Sequence, residues 1–210
     1  MKLYSHSFKD GEAIPGKNSF AVYDPENRIR LSDNLNPHLA WEDVPAGTQA
    51  LVLLCHDPDV PTSAEDVNQP GKTVPASLPR ADFYHWSLLN IPADQGEIIE
   101  GTQSSGISAR GKQGPSAPDG LIHGINDYTA WFAGDESMAG TYYGYDGPCP
   151  PWNDELVHHY IFTLYAIPMP TLNVEGELTG ANVRRALENS NVLATATLTG
   201  IYTLNPDVKV

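Results

Sequence analysis

The chain's 210 residues are enough for one generous all-β domain or two small ones, and 40% hydrophobic content is ample for a packed core. Its 12 Lys and Arg against 26 Asp and Glu leave a formal net charge of −14. That excludes diffuse binding to nucleic acid or anionic bilayers, because no basic footprint is there to release counterions.

With 18 Gly and 18 Pro, many turns and short strands are favoured over long helices. The opening MKLYSHSFKDGEAIPG has no apolar h-region of a signal peptide. No run approaches the roughly 18 apolar residues of a membrane span. The expectation is a cytoplasmic protein that does not span a membrane. GEAIPGKN at 11–18 falls one residue short of a phosphate-binding P-loop and has Asn18 where the hydroxyl belongs, so it reads as a turn. LVLLC (51–55) reads as a strand buried on both faces, running straight into HDPDVP. The segment 62–82 is polar, carries Pro70, Pro75 and Pro79, and reads as a loop. WSLLNI (86–91) is a second buried strand. Loops rich in Ser and Gly follow at 102–120 and at 133–155. YIFTLYAI (160–167) is a third buried strand. LTGANVRRALEN (178–189) predicts the one clear helix, with Thr179 as N-cap and Val183 and Leu187 on its apolar side. TATLTGIYTL (195–204) alternates as a half-exposed strand does. The fold class expected is mainly β: a two-sheet antiparallel sandwich with a few short peripheral helices, one near the C-terminus, in a single domain over 1–210.

Several strand ends carry polar groups. The residue before a proline is pushed to extended geometry, and extended residues two apart share a face. Asp57 and Asp59 in DPD are therefore expected to face one way and His56 the other, although Asp and Pro also simply close strands as turns. By the same parity His158 and Tyr160 share one side and His159 the other. His85 opens the WSLLNI strand, so a His or Asp stands at one end of three central strands. In GPCPP (147–151), proline stiffens the loop and Gly147 permits close backbone approach. GxSxG, HExxH and paired CxxC motifs are all missing. The sequence thus calls for no cofactor and no metal, and Cys55 and Cys149 are expected to be free thiols.

Together the blocks 32–62, 85–94 and 144–167 resemble the phosphatidylethanolamine-binding protein family, in its bacterial Raf-kinase-inhibitor-like branch. The resemblance implies a non-enzymatic antiparallel sandwich with a small pocket for phosphate-like anions or phospholipid headgroups. It implies as pocket residues Asp57, Asp59, His85, Gly147, Pro148, His158 and Tyr160. It also implies a homodimer and regulation of a partner kinase or protease. Two departures stand out: His158-His159-Tyr160 replaces the usual His-Arg-Tyr, and the 62–82 link is longer than usual. The alternative reading is a metal-assisted or acid–base hydrolase using the same His and Asp cluster.

Overall fold

The apolar run at 50–55 ends up where its composition demands, at the centre of a five-stranded sheet. The computed structural model describes residues 1–210. In chain order the elements are β1 (Lys2–Tyr4), β2 (Ala21–Asp24), β3 (Arg28–Leu31), β4 (Leu39–Glu42), β5 (Ala50–Pro61) and β6 (Arg80–Pro92). Then follow β7 (Glu97–Ile98), β8 (Ile122–His123), the one-turn helix α1 (Tyr128–Trp131), β9 (His158–Ile167), α2 (Gly180–Glu188) and β10 (Ala194–Tyr202). The large sheet has the order β10-β9-β5-β6-β8, a smaller sheet has β1-β4-β7, and β2-β3 form a hairpin. Every strand pair in them is antiparallel.

Side-chain alternation along β5 explains the layering. Leu51, Leu53 and Cys55 enter the main core with Leu39 and Trp41 of the smaller sheet and Phe162 of β9. Ala50, Val52 and Leu54 enter a second core against Val183 and Leu187 of α2. The large sheet is thus the middle layer, covered by the small sheet on one face and by α2 on the other. Being buried on both faces, β5 reads as an unbroken apolar run rather than an alternating one. A fully buried Leu such as Leu53 contributes about 1.5–3 kcal/mol of burial free energy.

Helix α2 forms as the sequence implies. Thr179 Oγ1 accepts from the Asn182 N–H at 3.3 Å, and the buried Val183 and Leu187, four apart, share its inner face. Gly180 lets the helix approach β6, since a Cβ there would lie 2.2 Å from the Tyr84 ring.

The strands run further than their apolar stretches suggest. β5 continues through the DPDVP motif to Pro61, β6 starts at Arg80 inside the expected loop, and β9 starts at His158. Cross-strand pairing extends them: Val60 pairs with Ala81 and Pro61 with Arg80. No helix is long and apolar enough to cross a membrane.

Of three register shifts between β5 and β6, two re-aim side chains at the site. Cys55 pairs with Trp86 but His56 pairs with Tyr84, so His85 is an extra residue on β6. Asp57 pairs with Phe83 but Val60 with Ala81, so β5 in turn carries an extra residue between them. Such bulges break the two-residue alternation and turn side chains to the other face.

Candidate functional site

A cavity of about 50 Å³ opens where β5, β6 and β9 end, between the 149–151 loop, α1 and residues 67–68. That is room for roughly three to five waters. Asp57, His85, His158 and Tyr160, expected from the sequence to meet, all line it. Asp59, Gly147 and Pro148 do not.

His158 is fully buried and held by two carboxylates: Nδ1 lies 2.6 Å from Asp57 Oδ2 and Nε2 lies 3.1 Å from Asp154 Oδ2. Burial opposes its charge, but the hydrogen bonds to Asp154 and Asp57 outweigh burial and raise its pKa to about 9. The ring is therefore an imidazolium at neutral pH, donating both protons to the protein. Asp154 is in turn clamped by Arg80, with Nη1 2.6 Å from Oδ2 and Nη2 3.0 Å from Oδ1. Burial alone would raise the Asp154 pKa; His158 and Arg80 together hold it below the usual value. Arg80, Asp154, His158 and Asp57 form a chain of alternating charge that sums to zero. Arg80 lies in the stretch read as loop, and Asp154 in a loop read only for its prolines. Neither was anticipated.

His85 owes its place to the extra residue on β6. Its Nδ1 lies 2.7 Å from the Asp146 carbonyl oxygen, which fixes the proton on Nδ1 and leaves Nε2 without a protein partner. Burial lowers its pKa, against the pull of Asp57, so Nε2 is an acceptor at neutral pH. The ring packs edge-on to Tyr160 (5.1 Å) and Tyr128 (5.6 Å) and lies 4.9 Å from Phe83. Tyr160 is 1% exposed; its hydroxyl makes no close hydrogen bond and has the Asp57 carboxylate as a looser acceptor. Burial and the charge of Asp57 push its pKa well above the ordinary value, so the hydroxyl keeps its proton.

The proline loop is anchored behind the cavity. Asp146 accepts from Asn34 Nδ2 (2.8 Å), Asn126 Nδ2 (2.7 Å) and Lys112 Nζ (3.1 Å). The Gly147 N–H donates to Asn34 Oδ1 at 2.8 Å, and the Gly147 carbonyl accepts from the Tyr128 hydroxyl at 2.7 Å. A Cβ at Gly147 would lie 2.4 Å from the Asn18 carbonyl oxygen, which is the close approach its glycine permits. Pro148 is buried beside it, and its carbonyl accepts from the Phe20 N–H at 2.9 Å. Gly147 and Pro148 thus position the wall, while Cys149, Pro150 and Pro151 form it. Both cysteines are free; burial pushes the Cys149 thiol up to about 12.

Parity holds on β9 and fails on β5. His159 turns outward as expected, with half its side chain exposed. Asp59 does not share the face of Asp57, because the extra residue intervenes. Asp59 Oδ2 instead accepts from the His159 N–H at 2.9 Å and pairs with its Nδ1 at 2.8 Å. The Asp59 N–H donates to Asp57 Oδ1 at 2.8 Å, so Asp59 steadies the cavity from behind. His56 faces the α2 side, where its Nδ1 accepts from Arg184 Nη2 at 3.0 Å. No group of three or more His, Cys, Asp or Glu side chains is arranged to hold a metal ion.

Residues 4–203 match the family model for phosphatidylethanolamine-binding protein. Among curated proteins, YbhB of Escherichia coli (strain K12) is 31% identical over 204 residues, spanning 96% of this chain and 99% of the relative. A relative from Aquifex aeolicus is 29% identical over 204 residues, spanning 96% and 88%. Among solved structures, Escherichia coli YbcL, described as a new member of the mammalian PEBP family, matches with a TM-score of 0.67 at 26% identity. That match covers 96% of this chain and 97% of YbcL. A PEBP homolog from Chlamydia trachomatis matches with a TM-score of 0.60 at 26% identity, covering 96% and 95%.

Proposed function

The chain belongs to the phosphatidylethanolamine-binding protein family, and from that premise we propose that its cavity takes a phosphate-like anion or a phosphorylated headgroup without catalysis. The observation that carries this reading is His85, whose ring is fixed through Nδ1 by the Asp146 carbonyl at 2.7 Å and whose Nε2 stands in the cavity wall with no protein partner. A buried, unmade hydrogen bond costs about 1–3 kcal/mol unless a ligand or water completes it.

The neighbouring groups suit a phosphate. Tyr160 donates to an anionic oxygen, while the free Nε2 of His85 accepts from a P–OH group. Dihydrogen phosphate and the monoanion of a phosphate monoester carry both. Equivalently, a protonated His85 donates to the dianion; either way the complex holds one proton shared by ring and ligand. Asp57, whose charge His158 offsets, keeps lone pairs for an ammonium group beside the phosphate. The hydrolase alternative fits less well. His158 has no free ring nitrogen to act as a base, and the Cys149 thiol, held at about 12, is a poor nucleophile. Regulation of a partner kinase or protease, a homodimeric state and a cytoplasmic location belong to the same reading and rest on the resemblance and the sequence alone.

The test is calorimetric titration of inorganic phosphate and of phosphoethanolamine at pH 6 and pH 8. Affinity should fall as pH rises, because the bound proton is harder to supply. Tyr160→Phe should weaken binding by roughly tenfold to a hundredfold, the equivalent of a hydrogen bond to a charged group. No binding by the intact protein, or a Tyr160→Phe variant that binds as well, would sink the reading.

A further inference from the structure

Residues 62–79 join β5 to β6 with neither helix nor strand, yet they are firmly held. The Asn153 side chain organises them. Its Nδ2 donates to the carbonyls of Asp66 (2.8 Å) and Lys72 (3.0 Å), and its Oδ1 accepts from the Asn68 N–H at 2.9 Å. Val74 and the 153–155 backbone exchange hydrogen bonds of 3.0 and 3.1 Å. Arg80 Nη2 donates to the Pro75 carbonyl at 3.0 Å while the same guanidinium grips Asp154. The buried Val67 and Val74 pin this strap from below.

The strap ends at the cavity. Val67 and Asn68 line it. Asn68 sits in the left-handed region at φ 57°, a conformation Asn tolerates better than most residues. Its Oδ1 accepts from the Trp152 N–H at 2.9 Å, which orients the amide; the residue is exposed, and its Nδ2 is a donor open to solvent at the cavity mouth. Around the mouth, only Trp131 is a large hydrophobic side chain with substantial exposure; the others so exposed, such as Tyr23, Leu31 and Ile99, do not line the cavity. The exposed part of the strap is polar, with Glu65, Asp66 and Lys72 as its charges. Trp131 alone is less than the apolar patch that entry into a bilayer requires, and the net charge of −14 repels an anionic one.

We propose that the strap is the specificity element of this cavity: Asn68 Nδ2 donates to the ligand's anionic group, and the Val67–Asn68 wall restricts the ligand to a small free phosphate ester, not a headgroup still embedded in a membrane. The proposal rests on the reading of the cavity as an anion site.

Two substitutions separate a ligand contact from a scaffold role. Asn68→Gly accepts the left-handed backbone and keeps its N–H bond to Asn153, but removes the donor. Asn68→Asp keeps the acceptor for Trp152 and turns the donor into an acceptor. Calorimetry with inorganic phosphate and glycerophosphoethanolamine should show about tenfold weaker binding for Asn68→Gly, and weaker binding still for Asn68→Asp. A purely structural role predicts that the loss in Asn68→Gly is matched by a lower thermal stability, because Gly gives up the contact with Trp152. Sedimentation with vesicles of phosphatidylcholine and phosphatidylethanolamine distinguishes the two sources of the headgroup. The protein should bind free glycerophosphoethanolamine and stay in the supernatant. Unchanged affinity in Asn68→Gly, the reverse order of the two variants, or a loss matched by lower thermal stability overturns the role of Asn68. Co-sedimentation that free headgroup competes away overturns the free-ester class. If the intact protein binds neither phosphate nor glycerophosphoethanolamine, the anion-site reading itself fails and takes this inference with it.

Discussion

Replacing His158 by Gln should flatten the dependence of stability on pH above neutrality. The intact ring is fully buried between Asp57 and Asp154, and its pKa rises from 6.5 to about 9 on folding. A group with a raised folded pKa binds more protons folded than unfolded between those two values. Its stabilisation is therefore complete below about pH 6.5 and is lost as pH climbs towards 9. At about 1.4 kcal/mol per pH unit the loss is about 3 kcal/mol, a substantial part of the roughly 5–15 kcal/mol that holds a domain together. Gln never takes the proton, so its variant lacks this term. At pH 6 it should be less stable by about 3–5 kcal/mol, because Asp57 and Asp154 lose their shared cation. The buried thiols and tyrosines add their own alkaline loss, but both proteins carry that background equally. Urea unfolding at half-unit steps from pH 6 to 9 gives the two profiles. They should converge by about 3 kcal/mol as pH rises. Profiles that run parallel to within about 0.5 kcal/mol would show that His158 is not an imidazolium in the folded protein.

On the acid side, burial and then Arg184 lower the His56 pKa, so that stabilisation is complete above about 6.5 and is lost as pH falls; His56→Gln should show a shallower loss between pH 6.5 and 5 in thermal unfolding. Gly147→Ala places a methyl 2.4 Å from the Asn18 carbonyl oxygen, and backbone cannot yield there cheaply, so unfolding should show a loss of at least about 1–3 kcal/mol. His159→Ala removes only a half-exposed pair with Asp59; it should cost no more than about 1 kcal/mol in the same assay and leave phosphate affinity unchanged.

What could be read from the sequence was whatever obeys a regular period. The unbroken apolar run 51–55, the outward turn of His159 against the inward His158 and Tyr160, and the α2 face of Val183 and Leu187 all follow from fixed repeats. The misreading of Asp59 comes from an extra residue in β5, which is a property of strand pairing and leaves no mark on the single strand. The bulge that brings His85 to the cavity is equally silent; His85 stood out as the polar residue opening a buried strand, and the family resemblance then made it a pocket residue. Arg80 and Asp154 are coupled to His158 by tertiary contact between segments that look like loops. Asn68 and Asn153 read as ordinary loop polarity, and only their meeting across the fold gives either a role.

The charge chain of Arg80, Asp154, His158 and Asp57 has a kinetic side. Because the four cancel within a few ångströms, the wall projects little field into solvent, and an approaching anion senses mainly the acidic surface. Encounter is then unassisted diffusion against a mild barrier, without the acceleration that a basic funnel lends to a charged ligand. Added salt, which ordinarily slows an anion reaching its site, should here leave the association rate level or raise it. Recognition begins only inside the mouth, where donor geometry can distinguish one small anion from another of equal charge.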